Sequence, residues 1–148
     1  MKKIFLGALI GLSMCVSVNG STVSSWNDLM IGTQRAYTIT SQNGYETILI
    51  ISGMITYKEE RCDYRTLSAG QTYIISGVGS DGITDLDIEL YDENGNLVTK
   101  DVKNDRLPIV TYTPEITQMF KIKAIAYDIN DAWKKSYNTY SLLICVQK

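Results

Sequence analysis

The side chains able to do chemistry are constrained first by an absence: the 148-residue chain contains no histidine. Ser-His-Asp and Cys-His arrangements are thereby removed, with most catalytic zinc sites, which lean on imidazole. A thiol nucleophile at Cys62 would lack its usual base. Acidic residues instead crowd T-D-L-D-I-E-L-Y-D-E-N-G-N-L-V-T-K-D, from Thr84 to Asp101. Two carboxylates can hydrolyse a glycoside, but nothing in the sequence around Asp85, Asp87, Glu89 and Asp92 singles out one to be held protonated. Hard cations want several oxygens from a loop and the neighbouring strand ends. The sharper expectation is therefore a calcium site drawn from Asp81, Asp85, Asp87 and Asp101 or Asp105. D-E-N-G-N does not keep the alternating register of an EF-hand loop, and the competing reading makes these acids turn formers and solvated strand faces. Gly77, Gly79 and Gly82 lack the lysine and the following helix of a phosphate-binding loop. No catalytic residue is assigned.

Ten tyrosines stand against two phenylalanines, a bias toward rings that are dry at one end and wet at the other. Tyr127, Trp133, Tyr137 and Tyr140 gather around one loop beside Lys134-Lys135, and they form the expected contact patch for a protein or a polysaccharide. Strand tyrosines with hydroxyls at the rim are the plainer alternative. Cys62 and Cys145 fall in the first and last strands of the presumed sheet region, strands that are often neighbours in a sandwich. A Cys62–Cys145 disulfide is the expectation, two separate buried thiols the alternative.

These residues need elements to position them. Leu86 to Tyr91 alternates apolar and acidic residues with the period of a strand. Asn94-Gly95 tolerates the positive φ of a tight turn, and Leu97-Val98-Thr99 returns. Upstream, Ser24-Ser25 followed by Asp28 reads as a helix start, with Trp26, Leu29, Met30, Thr33, Tyr37 and Thr40 on one face and Asn43-Gly44 as its stop. Tyr45 to Tyr57 is a β-branched run, with Gly53 marking an expected bulge. Lys58 to Arg61 is a charged connector. Strands follow at Cys62–Leu67, Gln71–Val78, Ile109–Thr113, Met119–Tyr127 and Thr139–Val146. Short strands at this spacing, with turn chemistry between them, predict a mainly β fold: an antiparallel sandwich preceded by one N-terminal α-helix.

The first twenty residues read as a signal peptide. Lys2-Lys3 precedes an apolar run from Ile4 to Val18, too short to span a bilayer, and small residues near Gly20-Ser21 suit cleavage. Leu12-Ser13-Met14-Cys15 approaches a lipobox, which makes anchoring at Cys15 the less favoured alternative. Removing residues 1–20 takes Lys2 and Lys3, so 14 basic residues become 12 against 16 acids, a net charge of −4. That excess argues against nucleic acid and anionic membrane surfaces. The expectation is an exported protein, periplasmic or extracellular, with no membrane span in its mature part.

L-S-A-G-Q-T-Y (67–73), D-L-D-I-E-L-Y-D-E-N-G-N-L-V (85–98), P-I-V-T-Y-T-P (108–114), M-F-K-I-K-A (119–124) and Y-S-L-L-I (140–144) occur in one order. That succession resembles the bacterial pre-peptidase C-terminal (PPC) domain over 62–148. The resemblance implies a jelly-roll-like, non-catalytic module of exported proteins, often appended to peptidases and sometimes binding calcium or a matrix polymer. Here only residues 21–61, a helix and a first strand expected to pack on the sandwich, stand between the signal and the module, so a small stand-alone protein is expected. It would act by contact with an envelope or extracellular protein or polysaccharide, calcium being its only prospective cofactor. A small secreted hydrolase or peptidase inhibitor is the alternative.

Overall fold

The computed structural model describes residues 20–148, with side chains from residue 26. The expected signal segment, Cys15 included, lies outside the described residues up to residue 19. Helix α1 (Gly20–Gln42) leads into eight strands: β1 (Tyr45–Ile55), β2 (Glu60–Leu67), β3 (Tyr73–Gly79), β4 (Ile83–Tyr91), β5 (Leu97–Asp101), β6 (Ile109–Tyr112), β7 (Gln118–Ile129) and β8 (Asn138–Gln147). They form two four-stranded antiparallel sheets. Sheet A has the order β1-β8-β3-β6 and sheet B the order β2-β7-β4-β5, the interleaved strand order of a jelly roll. The mainly β sandwich with one N-terminal helix is therefore what the chain forms. β1 is hydrogen-bonded along β8 as an edge strand of sheet A, so the sandwich begins at Tyr45, and the expected module boundary at residue 62 falls inside β2.

Period-2 alternation decides which side chains meet between the sheets. Leu86, Ile88 and Leu90 of β4 lie beside Phe120, Ile122, Ala124 and Ala126 of β7 on the inner face of sheet B, in the same core as Tyr140, Leu142 and Ile144 of β8 in sheet A. The Asn94-Gly95 turn forms as its chemistry requires. Gly95 has φ +83°, and the Asp92 carboxylate accepts hydrogen bonds from the backbone N–H groups of Asn94 and Asn96 at 2.9 and 2.8 Å.

The helix departs from its expected face. It begins before Ser24, and the Asp28 carboxylate accepts from Arg106 at 2.9 Å across the sandwich edge. Leu29 and Ala36 pack on Val78, Leu143 and Cys145 of sheet A, whereas Trp26, Met30 and Tyr37 are exposed. Gly32 explains this choice. A Cβ there would stand 2.7 Å from Val78 Cγ1, so the small residues Gly32 and Ala36 let the backbone settle onto the sheet and turn the larger rings aside. Gly53 likewise carries no bulge. The register shift lies between Thr47 and Leu49, and Gly53 makes room for the Tyr140 ring, whose Cε1 would be 3.2 Å from a Cβ.

The Cys62–Cys145 disulfide does not form; both thiols are free. Cys62 pairs with Lys123 on the outer face of sheet B and is exposed. Cys145 is buried on the outer face of sheet A under α1, 3.3 Å from Thr47 Oγ1. Strand parity thus sends the two sulfurs to opposite outsides of the sandwich. Stacked sheets lie about 10 Å apart, and a disulfide needs its Cα atoms within about 7 Å.

Candidate functional site: the outer face of sheet B and the loop end beside it

The outward residues of sheet B form cross-strand rows. Lys123 on β7 stands beside Glu89 on β4, and its Nζ lies 2.7 Å from Glu89 Oε2 and 3.4 Å from Glu60 Oε1. Tyr91 Oη donates to the same Glu89 oxygen at 2.5 Å. The Tyr91 ring carries Lys121 Nζ at 4.3 Å and Lys123 Nζ at 5.2 Å from its centroid, close enough for cation–π attraction. Burial works to raise the pKa of Glu89, but the hydrogen bonds from Lys123 and Tyr91 outweigh it and hold the carboxyl below its ordinary range. Lys123 is held above the ordinary lysine value, chiefly by its hydrogen bond to Glu89. Lys123→Ala leaves Glu89 mostly buried without its cation and is expected to cost about 2 kcal/mol, read from urea unfolding.

The acidic run of β4 is drier than its alternation suggests. Asp85 and Asp87 are only 7% and 6% exposed, and each has a buried Oδ1 with no hydrogen-bond partner. The segment after β5 folds back along β4, where the Asp105 carbonyl accepts from Leu86 N at 2.9 Å. Burial raises the Asp85 pKa, and the charges of Asp105 and Asp128 add to that. Burial pushes Asp87 up to about 6, with Asp85, Glu89 and Asp101 contributing repulsion.

The other acids of the calcium expectation are placed elsewhere. Asp81 is exposed in the β3–β4 turn. Asp101 accepts from the backbone N–H of Lys103 and Ile109, at 3.2 and 3.0 Å. Burial raises its pKa, but those bonds and the Lys103 charge bring it below the ordinary value. Asp105 Oδ1 caps Leu107 N at 2.8 Å. Among the described residues no three His, Cys, Asp or Glu side chains are arranged to hold a metal ion. Asp85 and Asp87 offer free oxygens, with the charges of Asp105 and Asp128 felt at Asp85 and that of Asp101 at Asp87, against the roughly six to eight oxygens calcium takes.

The residues of the expected aromatic patch lie near the β7–β8 loop, except that Tyr140 turns inward and Tyr57 comes beside Lys134. Tyr127 and Tyr137 are exposed at 57% and 59%. Trp133, in a single 3-10 turn (Asp131–Trp133), is half-buried and packs against the core. Tyr140 does not join them: it points between the sheets and is buried, because it shares its parity on β8 with Leu142 and Ile144. Tyr57 takes its place from the far side of the chain. Lys58 N bonds the Ala126 carbonyl at 2.8 Å, which sets the β1–β2 turn beside the end of β7. Lys134 Nζ then lies 5.0 Å from the Tyr57 ring centroid and is held by Asp131 at 2.7 Å and Asp128 at 3.5 Å.

The loop is tied down from beneath. Asn138 is buried and donates from Nδ2 to the carbonyls of Trp133 and Ser136, at 3.3 and 3.2 Å. Gly82 leaves the space that the Asn138 amide oxygen occupies. Tyr57 and Asn138 were not singled out by the sequence because Lys134, which meets the Tyr57 ring, and Gly82, which makes room for the Asn138 amide, lie dozens of residues away from them. The only local sign was an aromatic next to a charged connector.

No protein-family model matches the chain, and no curated protein matches it. Solved structures do. PliG of Aeromonas hydrophila, a periplasmic inhibitor of g-type lysozyme, superposes with a TM-score of 0.50 at 12% identity, covering 67% of this chain and 85% of its own. The pre-peptidase C-terminal domain of a Bacillus anthracis collagenase gives 0.51 at 15% identity, covering 65% and 87%. The likeness at these identities is one of fold alone: the chain has a β-sandwich fold similar to that of the pre-peptidase C-terminal domain.

Proposed function

We propose that the protein is an exported, non-catalytic β-sandwich module that works by contact, using the loop end formed by Tyr57, Tyr127 and Tyr137 with Lys58 and Lys134. Its partner is an envelope or extracellular protein or polysaccharide. One observation carries this reading. Tyr57, in the β1–β2 turn, meets Lys58 and Lys134, and exposed Tyr127 and Tyr137 flank the β7–β8 loop that carries Lys134 and that Asn138 fixes from inside. Exposed rings held rigidly supply contact area at little entropic cost, and the lysines add directional attraction for acidic or hydroxyl-bearing groups. The sandwich likeness to a lysozyme inhibitor and a collagenase appendage supports a binding role through fold alone.

The test is a double variant, Tyr127→Ala with Tyr137→Ala, assayed against immobilised envelope polysaccharide and an envelope protein extract. Both side chains are exposed, so the melting temperature should move by no more than about 0.5 kcal/mol in equivalent stability. Affinity for the retained fraction should fall at least roughly tenfold, the scale of one aromatic hot spot. Unchanged affinity in the folded double variant would place the contact elsewhere on the surface. Turnover of glycan or peptide by the native protein would replace this reading with the hydrolase.

A further inference from the structure

Away from that end, α1 does not close completely over sheet A. Between the helix and the β3–β6 edge lies a cavity of about 260 Å3. Its walls are Ile31, Ala36 and Ile39 from α1 and Val78, Leu107 and Ile109 from the sheet side. Ile31, Ile39 and Ile109 are exposed, so the space opens as a groove. An apolar cavity of about 150 Å3 already stays dry and takes up benzene. This one is larger, lies against α1 and has the volume for an alkyl chain.

Apart from Thr40, whose hydroxyl is spent on the helix carbonyls of Ala36 and Tyr37, the polar side chains lie at two places. Arg35 and Arg106 flank the lining with Asp28. Arg106 is paired with Asp28 at 2.9 Å, while Arg35 is exposed and forms no ion pair among the described residues. Two guanidiniums against one carboxylate leave a local positive excess on a chain whose 16 acids outnumber its 14 bases. On the groove wall, Ser76 is buried and its Oγ has no hydrogen-bond partner. An unpartnered buried hydroxyl costs free energy that a polar atom of a bound molecule recovers.

We propose that this groove binds a single-chain anionic amphiphile, a medium-chain alkyl carboxylate. Its chain lies in the groove between Ile31 and Ile39 of α1 and Leu107 and Ile109 opposite, and its head pairs with the guanidiniums of Arg35 and Arg106. The apolar walls supply the affinity and the arginines the choice of head group, since guanidinium matches a carboxylate in plane and charge. The Ser76 hydroxyl offers a hydrogen bond within the groove.

Calorimetric titration with decanoate and with decanol, both free in solution, tests the proposal on the full folded protein. Decanoate should bind saturably at one site and more tightly than decanol. Arg35→Glu, an exposed change on the helix, should weaken decanoate by roughly fivefold or more and leave decanol unaltered, and Arg35→Lys should restore part of the loss. Equal affinity for acid and alcohol, unaltered by Arg35→Glu, would show apolar adsorption and overturn the assignment. So would absence of decanoate binding by protein with an intact melting transition, or binding seen only with phosphatidylglycerol vesicles.

Discussion

Asp87→Asn is expected to melt roughly 3–6 °C above the native protein at pH 7, an unusual direction for a substitution at a buried site. The reason lies on β4, where Asp85 and Asp87 are buried on the outer face of sheet B with unbonded oxygens and Glu89 stands next along the strand. Burial first, and then the neighbouring carboxylates, push Asp87 up to about 6, whereas the unfolded chain loses that proton near its ordinary value. Between those two values the native state holds more protons, so stability falls as pH rises through the window. By pH 7 the whole penalty is present; below the ordinary carboxylate range it is gone. The full shift corresponds to about 3 kcal/mol, and water at the sheet surface reduces it to about half.

Asparagine keeps the shape without the charge. Lowering the pH of the native protein from 7 to 5 should give a gain of the same sign, with Asp85 acting in the same direction. Glu89 and Asp101, held below their ordinary values, oppose this only at lower pH, where their own stabilisation is lost. Thermal melts of both proteins at pH 5, 6 and 7 provide the check. A native protein more stable at pH 7 than at pH 5 would contradict the account. So would a variant that melts no higher than the native chain at pH 7. Calcium enters the same experiment. An ion seated on the pair would raise the native melting temperature and leave Asp87→Asn unmoved. Because no three acids among the described residues are arranged to hold a metal ion, no calcium-dependent shift is expected.

Gly32→Val should destabilise the protein by about 3 kcal/mol and change which thiols react. The added Cβ would begin 2.7 Å from Val78 Cγ1, and Val78 cannot retreat because it belongs to a strand hydrogen-bonded on both sides. The helix must therefore lift, uncovering Leu143 and Cys145 beneath it. Of Cys62 and Cys145, only the exposed Cys62 should label in the native protein under non-denaturing conditions, and both should label in the variant. Both thiols label after unfolding without reductant. Fast labelling of Cys145 in the native protein would mean that α1 does not seat as described, and labelling of neither Cys62 nor Cys145 would restore a disulfide. Gly32→Ala sets the scale, as its single methyl meets the same atom with less bulk.

The β4–β5 hairpin shows why so much of this fold could be read directly. Its alternation, its Asn94-Gly95 turn and the Asp92 cap are all local, and local chemistry is what a linear chain displays. The same holds for strand parity in β7 and β8, although parity also carried the answer to the cysteines. Counting outward from Leu142 and from Leu67 sends Cys145 and Cys62 to opposite outsides, whereas adjacency of first and last strands was the wrong criterion. Trp26, Met30 and Tyr37 misled because a helix stripe was sought among large apolar residues. The face that settles on a flat sheet is the one with Gly32 and Ala36, where backbones approach most closely.

By itself, then, the amino-acid order determined the class of fold, the strands and their alternation, the exclusion of imidazole chemistry and the acidic balance. Those properties depend on neighbours within a few residues or on composition. Only the tertiary structure decided that Asp85 and Asp87 would be dry, that Tyr140 would turn inward while Tyr57 joined Tyr127 and Tyr137, and that α1 would leave an arginine-flanked groove on sheet A. Each of these depends on which distant segment comes to lie over a given side chain. Burial, pKa and surface chemistry are set by that covering, and no local pattern encodes it.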